Sequence, residues 1–383
     1  MIEEIKRGHS IFIDGLCPIC GHQGWCCTSM GNDGNLYVTC KRDASKSDIS
    51  GYTYIGPSEK GNSKYIFGDR SLTQNKNWQP SIPKRKKVEN SIKPLRDDEL
   101  DKVYRKILSM LSLEDHHRKQ LKEEGWTDEL IKKYNFKSYP VEDYTRFKKN
   151  IKTPNPTRYE IGQKLHKEFG DLTGVPGLYI RENKKGNRFW TLAGKPGILF
   201  EITNVYGHVI GLRVRLDDPG DGGKYRWVSS YFLKEFDGIW KNLYECGCKA
   251  NNRVSISFPK IRGDMYCCHL TEGEKKHKAV NEFLKSPCIS VAGVDSWADI
   301  LDVNPMTNER PVDVLKKMGV KMFIIAYDND KYKNEAVMNS QIQVIEALRK
   351  ENFMIGLAEW DSYMGIKIDD ILFNGYKPMY FLV

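Results

Sequence analysis

The last third of the chain alternates short apolar runs with segments of helical period. The apolar runs are MYCCHLT, CISVAGV, VKMFIIAY and FMIGLAEW, and the helical segments between them include EKKHKAVNEFL and NSQIQVIEALRKEN. Short apolar strands separated by helices are typical of a parallel sheet that is covered on both faces. The pattern therefore predicts an α/β domain over residues 266–383.

Two other patterns precede this domain. From about residue 96 the apolar positions recur at helical spacing, as in LDKVYRKILSML and WTDELIKKYNF, with Thr127 placed to cap the latter helix. From about residue 175 the period becomes two, as in GILFEITNVYGHVIGLRVRL, which predicts strands. His116 and His117 fall in a further predicted helix between LDKVYRKILSML and WTDELIKKYNF. Adjacent helical residues do not share a face, which argues against a metal pair.

The chain therefore divides into five predicted segments of a multidomain α/β protein. Residues 57–95 are rich in Ser, Asn, Lys and Pro and include the run KRKK, which is typical of a flexible linker. The segments are a small ribbon-like module of strands and turns at 1–55, a flexible basic linker at 56–95, a helical segment at 96–150, a basic strand-rich segment at 151–265 and the α/β domain at 266–383.

Composition narrows the class of protein and its compartment. With 40% hydrophobic and 29% charged residues among 383, the chain is expected to fold into globular domains. No apolar run approaches the roughly 18 residues of a membrane span, and the start MIEEIKRGHS has no signal-peptide core. We expect a cytoplasmic protein without a membrane partner, in which disulfides are improbable and clustered cysteines bind metal.

Charge is distributed unevenly along the chain. The net charge is +10, but residues 266–383 carry −3 and the remainder carries +13. A basic N-terminal part suits a polyanionic partner such as nucleic acid, and an acidic C-terminal part suits metal-binding carboxylates.

Five cysteines lie within the first forty residues. Cys17 and Cys20 form a C-x2-C pair, and Cys26, Cys27 and Cys40 follow. A tight pair can bind a metal from one turn, and two later thiolates complete a tetrahedral, structural zinc site. Cys40 is the predicted fourth ligand, while Cys26 and Cys27 compete for the third position.

Three acidic residues follow two of the predicted strands. Glu272 ends the first strand of the α/β domain, and Asp328 and Asp330 follow the strand MFIIAY. Functional groups in open parallel sheets gather at the carboxyl ends of strands, so these side chains are expected to lie together. Clustered carboxylates are stabilised by a divalent cation, and oxygen ligands favour Mg²⁺ or Mn²⁺.

The sequences TEGEKKHKAV and IIAYDND, which carry these acids, resemble the two motifs of the TOPRIM domain of DnaG-type primases, topoisomerases and some nucleases. The resemblance implies that Glu272, Asp328 and Asp330 hold catalytic metal. It also implies an acidic contribution from Asp369 and Asp370 in GIKIDDIL, where related primases place acids after the last strands.

The region before this domain resembles the DnaG-type catalytic core. In GHVIGLRVRLDDPGDGGKYRWVSS, Arg213 and Arg215 alternate on one strand, and Lys224 and Arg226 repeat that spacing. Arginine forks suit bidentate contact with phosphate, so these four cations are predicted to bind a triphosphate and a template strand. The N-terminal cysteines resemble CPxCG…WC zinc fingers of phage and mobile-element primases, which favours Cys26 as the third ligand.

The order of these parts implies a DNA primase of the phage, plasmid or mobile-element kind. Such an enzyme makes short RNA primers on single-stranded DNA from NTPs by metal-dependent nucleotidyl transfer. No GxxxxGK[ST] motif occurs, so any replicative helicase would be a separate protein. Two alternatives are a TOPRIM metal-dependent nuclease and a non-catalytic protein that binds single-stranded DNA in replication or its regulation.

Overall fold

The computed structural model of the chain describes most residues from 92 onward and parts of the N-terminal region. The described residues are 10–12, 17–20, 26–30, 35–41, 47–48, 52–58, 62–67, 88–89, 92–148, 150, 152–220, 223–236, 239–251, 253–260, 265–304, 307–329 and 335–383. The chain separates into two compact units, residues 1–85 with 334–336 and residues 86–333 with 337–383. No helix in the described part is long and apolar enough to cross a membrane.

The first unit contains an antiparallel sheet in the order β1-β2-β3-β5-β4. Its strands are β1 (Ser10–Phe12), β2 (Cys27–Met30), β3 (Leu36–Cys40), β4 (Tyr52–Pro57) and β5 (Ser63–Phe67). The sheet therefore runs past the predicted module boundary at residue 55, which is placed too early. The polar residues around 57–64 suggest a linker, but Tyr65 is fully buried and anchors β5 in the sheet.

The second unit begins with β6 and a group of helices. These are β6 (Val88–Glu89), α1 (Asp97–Met110), α2 (Asp115–Glu123), α3 (Asp128–Lys133), α4 (Asp143–Lys148) and α5 (Arg158–Phe169). The predicted cap of α3 is confirmed, since the Thr127 hydroxyl accepts from the Leu130 backbone N–H at 3.3 Å. The apolar face of α1 is buried in the main core of this half of the unit.

The strand-rich part forms three small sheets. Its strands are β7 (Lys137–Tyr139), β8 (Leu178–Glu182), β9 (Arg188–Leu192), β10 (Gly197–Thr203), β11 (Val209–Leu216), β12 (Tyr225–Trp227), β13 (Leu233–Phe236) and β14 (Ile239–Asn242). The sheets have the orders β12-β11-β10-β7, β8-β9 and β13-β14-β6. All eight residues of β11 are buried, with Leu212, Val214 and Leu216 facing the α1 core and Arg213 and Arg215 alternating with them.

The last part is a six-stranded sheet in the order β15-β17-β16-β18-β19-β20. Its elements are β15 (Ser255–Ser257), β16 (Cys267–Glu272), α6 (Glu274–Ala279), β17 (Cys288–Val291), α7 (Pro311–Lys317), β18 (Met322–Ala326), α8 (Glu335–Lys350), β19 (Met354–Glu359), α9 (Ile368–Phe373) and β20 (Met379–Leu382). The four central strands are parallel and the two edge strands are antiparallel. The described chain is therefore a mixed α/β protein whose central parallel strands match the alternating pattern of the sequence.

Candidate active site

Two neighbouring parallel strands end at the same edge of the C-terminal sheet. Glu272 is the last residue of β16, and Asp328 follows β18 by two positions. The two strands are in register, with Thr271 opposite Ala326. The edge thus carries two of the predicted acids, while Asp330 lies outside the described residues.

Lys276 of α6 lies among the acids at this edge, and sequence reasoning did not anticipate it. Its ammonium donates to both carboxylate oxygens of Asp328, at 2.5 and 2.6 Å, although the residue is only 8% exposed. Burial lowers the pKa of Lys276, but Asp328, Glu272 and Asp369 outweigh that effect, and the net pKa is raised. We call Glu272, Asp328 and Asp369 the carboxylate cluster because all three act electrostatically on this one ammonium. Their oxygens are not among the sets of described ligand atoms that all lie within 4.8 Å of one another.

The two predicted acids at the start of α9, Asp369 and Asp370, make different contacts. Asp369 is 1% exposed, its Oδ2 lies 3.2 Å from Lys275 Nζ, and its Oδ1 makes no hydrogen bond with any residue that the structure describes. Asp370 instead accepts from the Lys367 backbone N–H at 3.1 Å and caps the helix. The structure thus brings Asp369 into the carboxylate cluster and gives Asp370 a capping contact.

A glycine makes the turn between Glu272 and α6. Gly273 has φ +80°, in the region that favours glycine, and its N–H donates to the Val291 carbonyl at 3.0 Å. The turn therefore directs α6 back across the strand ends, so that its charged side chains face the acids.

All six residues of α6 are buried, although the sequence EKKHKA is mostly charged. Its polar side chains are paired. Glu274 pairs with Arg213, Lys275 with Glu124 at 2.7 Å and with Asp369, and His277 with Ser290 at 2.9 Å. The cost of burying charged groups is offset when they are paired and hydrogen-bonded. A short helix whose charged residues cover every face is the sequence signal that could have identified Glu274, Lys275 and Lys276.

The two predicted arginines of β11 are buried and paired with acids. Arg213 contacts Glu274, and its guanidinium lies 5.4 and 5.5 Å from the ring centroids of Tyr225 and Trp227. Arg215 Nη1 lies 2.5 Å from Glu124 Oε1. Burial raises the pKa of Glu124, but its two cationic neighbours outweigh burial and lower the net pKa.

The second predicted basic pair, Lys224 and Arg226, does not lie on one side of the sheet. Arg226 is exposed and pairs across the ladder with Val214, so it lies on the face opposite to Arg213 and Arg215. Lys224 lies on the same side as the arginines and lines their cavity. Burial and the nearby Arg215 lower the pKa of Lys224.

A cavity of about 280 Å³ opens between β11, α6 and the strand ends. We call it the basic cavity, because six of its lining residues are Lys or Arg and three are Glu. The charged lining residues are Arg213, Arg215, Lys224, Lys275, Lys276, Lys367, Glu124, Glu272 and Glu274. An excess of positive charge in a concave site attracts an anionic ligand.

The first unit brings four of the predicted cysteines together. The ligand atoms of Cys17, Cys20, Cys26 and Cys40 all lie within 4.8 Å of one another, and we call them the cysteine cluster. Cys27 is the first residue of β2 and is not a member, which resolves the choice between the adjacent thiols. A hydrogen bond with Cys40 lowers the pKa of Cys17, whereas burial raises the pKa of Cys26 in the same cluster. A thiolate is the form that binds zinc. This arrangement fits a structural zinc site.

Comparison with known proteins supports the resemblance read from the motifs. A family model described as "Domain of unknown function (DUF3854)" matches residues 261–377. The DNA primase of Lactococcus lactis subsp. lactis (strain IL1403) is 25% identical over 236 residues, which cover 62% of this chain and 31% of the relative. This chain thus corresponds to about a third of the relative's length. It resembles DnaG-type primases in sequence, as the motifs indicated.

Solved primase structures are also similar to the chain. The crystal structure of the Aquifex aeolicus primase (zinc-binding and RNA polymerase domains) has a TM-score of 0.47 at 13% identity, over 75% of this chain and 63% of that one. The RNA polymerase domain of Mycobacterium tuberculosis primase DnaG, in complex with a double-stranded DNA oligomer with a 6-nucleotide overhang, has a TM-score of 0.45 at 12% identity, over 74% and 80%.

Proposed function

We propose that this chain, which resembles DnaG-type primases, synthesises short RNA primers from NTPs on a single-stranded DNA template. The observation that carries the proposal is the carboxylate cluster beside the basic cavity: Glu272 lines that cavity, and Asp328 and Asp369 are linked to it through Lys276 and Lys275. Nucleotidyl transfer needs both parts, because metal-binding oxygens must lie next to cations that hold phosphate. The setting that the resemblance implies is replication of a phage, a plasmid or another mobile element.

The carboxylate cluster has the donor chemistry that Mg²⁺ or Mn²⁺ requires. All its ligand atoms are oxygens, and the buried Asp369 Oδ1 has no hydrogen-bond partner among the described residues. Glu272, Asp328 and Asp369 would hold the ion, with Asp330 a predicted fourth ligand. When bound, such an ion activates the primer 3′ hydroxyl and stabilises the leaving pyrophosphate.

The chain's own residues would bind and orient the nucleotide. Lys224 and Lys367 line the basic cavity and supply positive charge for the triphosphate. Glu274 fixes the Arg213 fork, and Glu124 fixes Arg215 and Lys275, so these cations are held in place before substrate arrives. Preorganised charges cost no rearrangement at the moment of reaction.

The first unit would bind zinc through the cysteine cluster and hold the template. Arg226, on the other face of β12, would contact the template backbone rather than the triphosphate. A replicative helicase would be a separate partner, and the TOPRIM assignment of residues 266–383 is part of this proposal. The cytoplasmic location expected from the sequence also stays a prediction.

One observation favours a second candidate function. The Lys276 ammonium pairs with both oxygens of Asp328, so this acid already has a protein cation beside it. A non-catalytic protein that binds single-stranded DNA could retain such a pair. Its DNA affinity would fall steeply with salt and would survive loss of the carboxylates.

The test is primer synthesis by the purified full chain on single-stranded DNA, with labelled NTPs and Mg²⁺ or Mn²⁺, resolved on a denaturing gel. Short labelled products that disappear in Glu272→Gln support the primase. Metal-dependent degradation of the template without NTPs would instead indicate a nuclease. Salt-sensitive DNA binding with neither activity would indicate the second candidate.

A further inference from the structure

We propose a second metal site in the helical layer, formed by His116, His117 and Asp217 and suited to Zn²⁺ or a similar transition metal. Each residue offers one ligand atom, and these atoms lie within 4.8 Å of one another. We call them the histidine cluster. The proposal does not depend on primer synthesis, because it concerns residues outside the basic cavity.

The buried member of the cluster is fixed from both sides of its ring. His117 is 1% exposed, its Nδ1 lies 2.7 Å from Ser138 Oγ, and its Nε2 lies 2.6 Å from Asp217 Oδ1. The Ser138 hydroxyl oxygen also accepts from the Glu114 backbone N–H at 2.8 Å. At 2.6 Å from a carboxylate oxygen, Nε2–H donates to Asp217, and the Ser138 hydroxyl donates to Nδ1. A metal ion bound at Nε2 would replace that proton, and the Ser138 oxygen, which has two lone pairs, could then accept from Nδ1–H.

The exposed member has a similar arrangement. His116 Nε2 lies 3.9 Å from Asp217 Oδ2, and its Nδ1 lies 3.6 Å from Glu114 Oε2. Glu114 is itself held, because its Oε1 accepts from the Thr153 hydroxyl at 2.6 Å and from the Asn155 amide at 3.1 Å. Each imidazole thus has an oxygen on its Nδ1 side and the same aspartate on its Nε2 side. Metal-binding histidines are commonly oriented in this way.

The fold places these two histidines closer together than the sequence expectation against a metal pair assumed. Adjacent helical residues normally diverge, but both lie in the first turn of α2, and their ring centroids are 3.9 Å apart. Asp217, which comes directly after β11, supplies the third ligand from about a hundred residues away. Two imidazoles and one carboxylate are the donor set of many zinc sites, with a fourth position left for water. The partly exposed His116 and Asp217 give the ion access from solvent.

A metal at this site would add a second link between α2 and β11, besides the ion pair of Glu124 and Arg215. The end of α2 already contacts β11, because Glu124, directly after the helix, pairs with Arg215. Asp217 lies two residues beyond Arg215, directly after the same strand. The ion would therefore hold the start of the helix as Glu124 holds its end, and would stabilise one wall of the basic cavity.

The test is the zinc content of the full chain, measured by mass spectrometry after equilibration with Zn²⁺ and dialysis into buffer containing excess Mg²⁺. We expect two zinc ions per wild-type chain, one in the cysteine cluster and one in the histidine cluster. His116→Ala should retain one, and the exposed His166→Ala on α5 is the matched control that should retain two. Cys17→Ser should lose the other ion.

The proposal is overturned if wild type binds one zinc, or if His116→Ala still binds two. His116 is largely exposed, so its replacement is not expected to unfold the chain, and circular dichroism checks this. Asp217→Asn provides a second variant with the same expected loss of one ion. Co²⁺ substitution separates the sites, because the thiolate charge-transfer band should persist in His116→Ala while weaker bands from the histidine cluster disappear.

Discussion

The cysteine cluster and the carboxylate cluster are both sets of metal-type ligands, but they are assembled in opposite ways. The four thiols come from residues 17–40 of a small sheet whose packed core includes three of them. The three carboxylates come from residues 272–369, at strand ends and at the start of α9, and a lysine already neutralises one of them.

This difference indicates whether each unit of the chain depends on metal for its folding. Among its described residues, the first unit has a core cluster of five buried side chains, three of them cysteines, so we expect this unit to depend on bound metal for folding. The carboxylate cluster lies in a sheet with its own large core, and Lys275 and Lys276 pair with two of its three acids. Removal of metal should therefore unfold the first unit and leave the second intact.

The largest expected effect is that of Cys17→Ser. Structural zinc contributes roughly 10–16 kcal/mol in zinc-finger peptides, so loss of one ligand should release the ion and unfold the first unit. Limited proteolysis should then degrade residues 1–67 while the second unit resists. Cys27→Ser is the matched control and should keep both zinc and protection. Equal protection of the two variants would contradict the inference that the first unit depends on metal.

The next largest effect is expected for Glu272→Gln, which should lower primer synthesis by at least about 100-fold, as for other groups that act on transition-state charge. Thermal stability should change little, since the sheet does not depend on metal. Asp370→Asn is the matched control, because an amide oxygen can still accept from the Lys367 N–H, and it should keep activity within a few fold. An equal loss in both variants would mean that Asp370 also acts in the reaction.

The same contrast decides what could be predicted from the sequence. Metal-binding thiols are often close in sequence, so spacing identified Cys17, Cys20 and Cys40 and left Cys26 and Cys27 as alternatives for the third position, between which the family resemblance favoured Cys26. The strand-end acids could also be predicted, because the alternation of strands and helices determines which ends share an edge. Asp370 could not be separated from Asp369, since only the helix start shows which of the two becomes the cap.

Charge pairs across long sequence distances were not predictable. Arg213 and Arg215 were expected to be open to phosphate, yet each is buried against an acid from another element. Lys276 belongs to a run of charged residues that usually indicates a solvated helix face. Its burial follows from the position of α6 between two sheets, which no local pattern reveals.

A smaller effect is expected for Lys276→Met, which removes the cation from the carboxylate cluster. Two like charges at short range repel by a few kcal/mol at an effective dielectric constant of about 20, so Mn²⁺ should bind about tenfold tighter or more without the ammonium. Electron paramagnetic resonance of free Mn²⁺ measures this affinity directly. Lys278→Met removes a buried lysine of the same helix that pairs with Glu201 and should leave the affinity unchanged. Unchanged Mn²⁺ affinity in Lys276→Met would show that the ammonium does not oppose the metal.

The smallest expected effect is a loss of folding stability at acidic pH in the sheet that carries the carboxylate cluster. Burial lowers the pKa of His269 from 6.5 to about 4, so between these values the unfolded chain binds a proton that the folded chain does not. Stability is therefore full above pH 6.5 and falls as the pH drops below it, by roughly 1 kcal/mol between pH 7 and pH 5.5 from this residue alone. Urea unfolding at both pH values measures the difference.

His269→Gln, which can still contact the Ser286 hydroxyl, should reduce this difference in stability between the two pH values. An undiminished pH dependence in that variant would assign the acid sensitivity to other groups, of which His277, whose pKa is also lowered by burial, would be the first to examine.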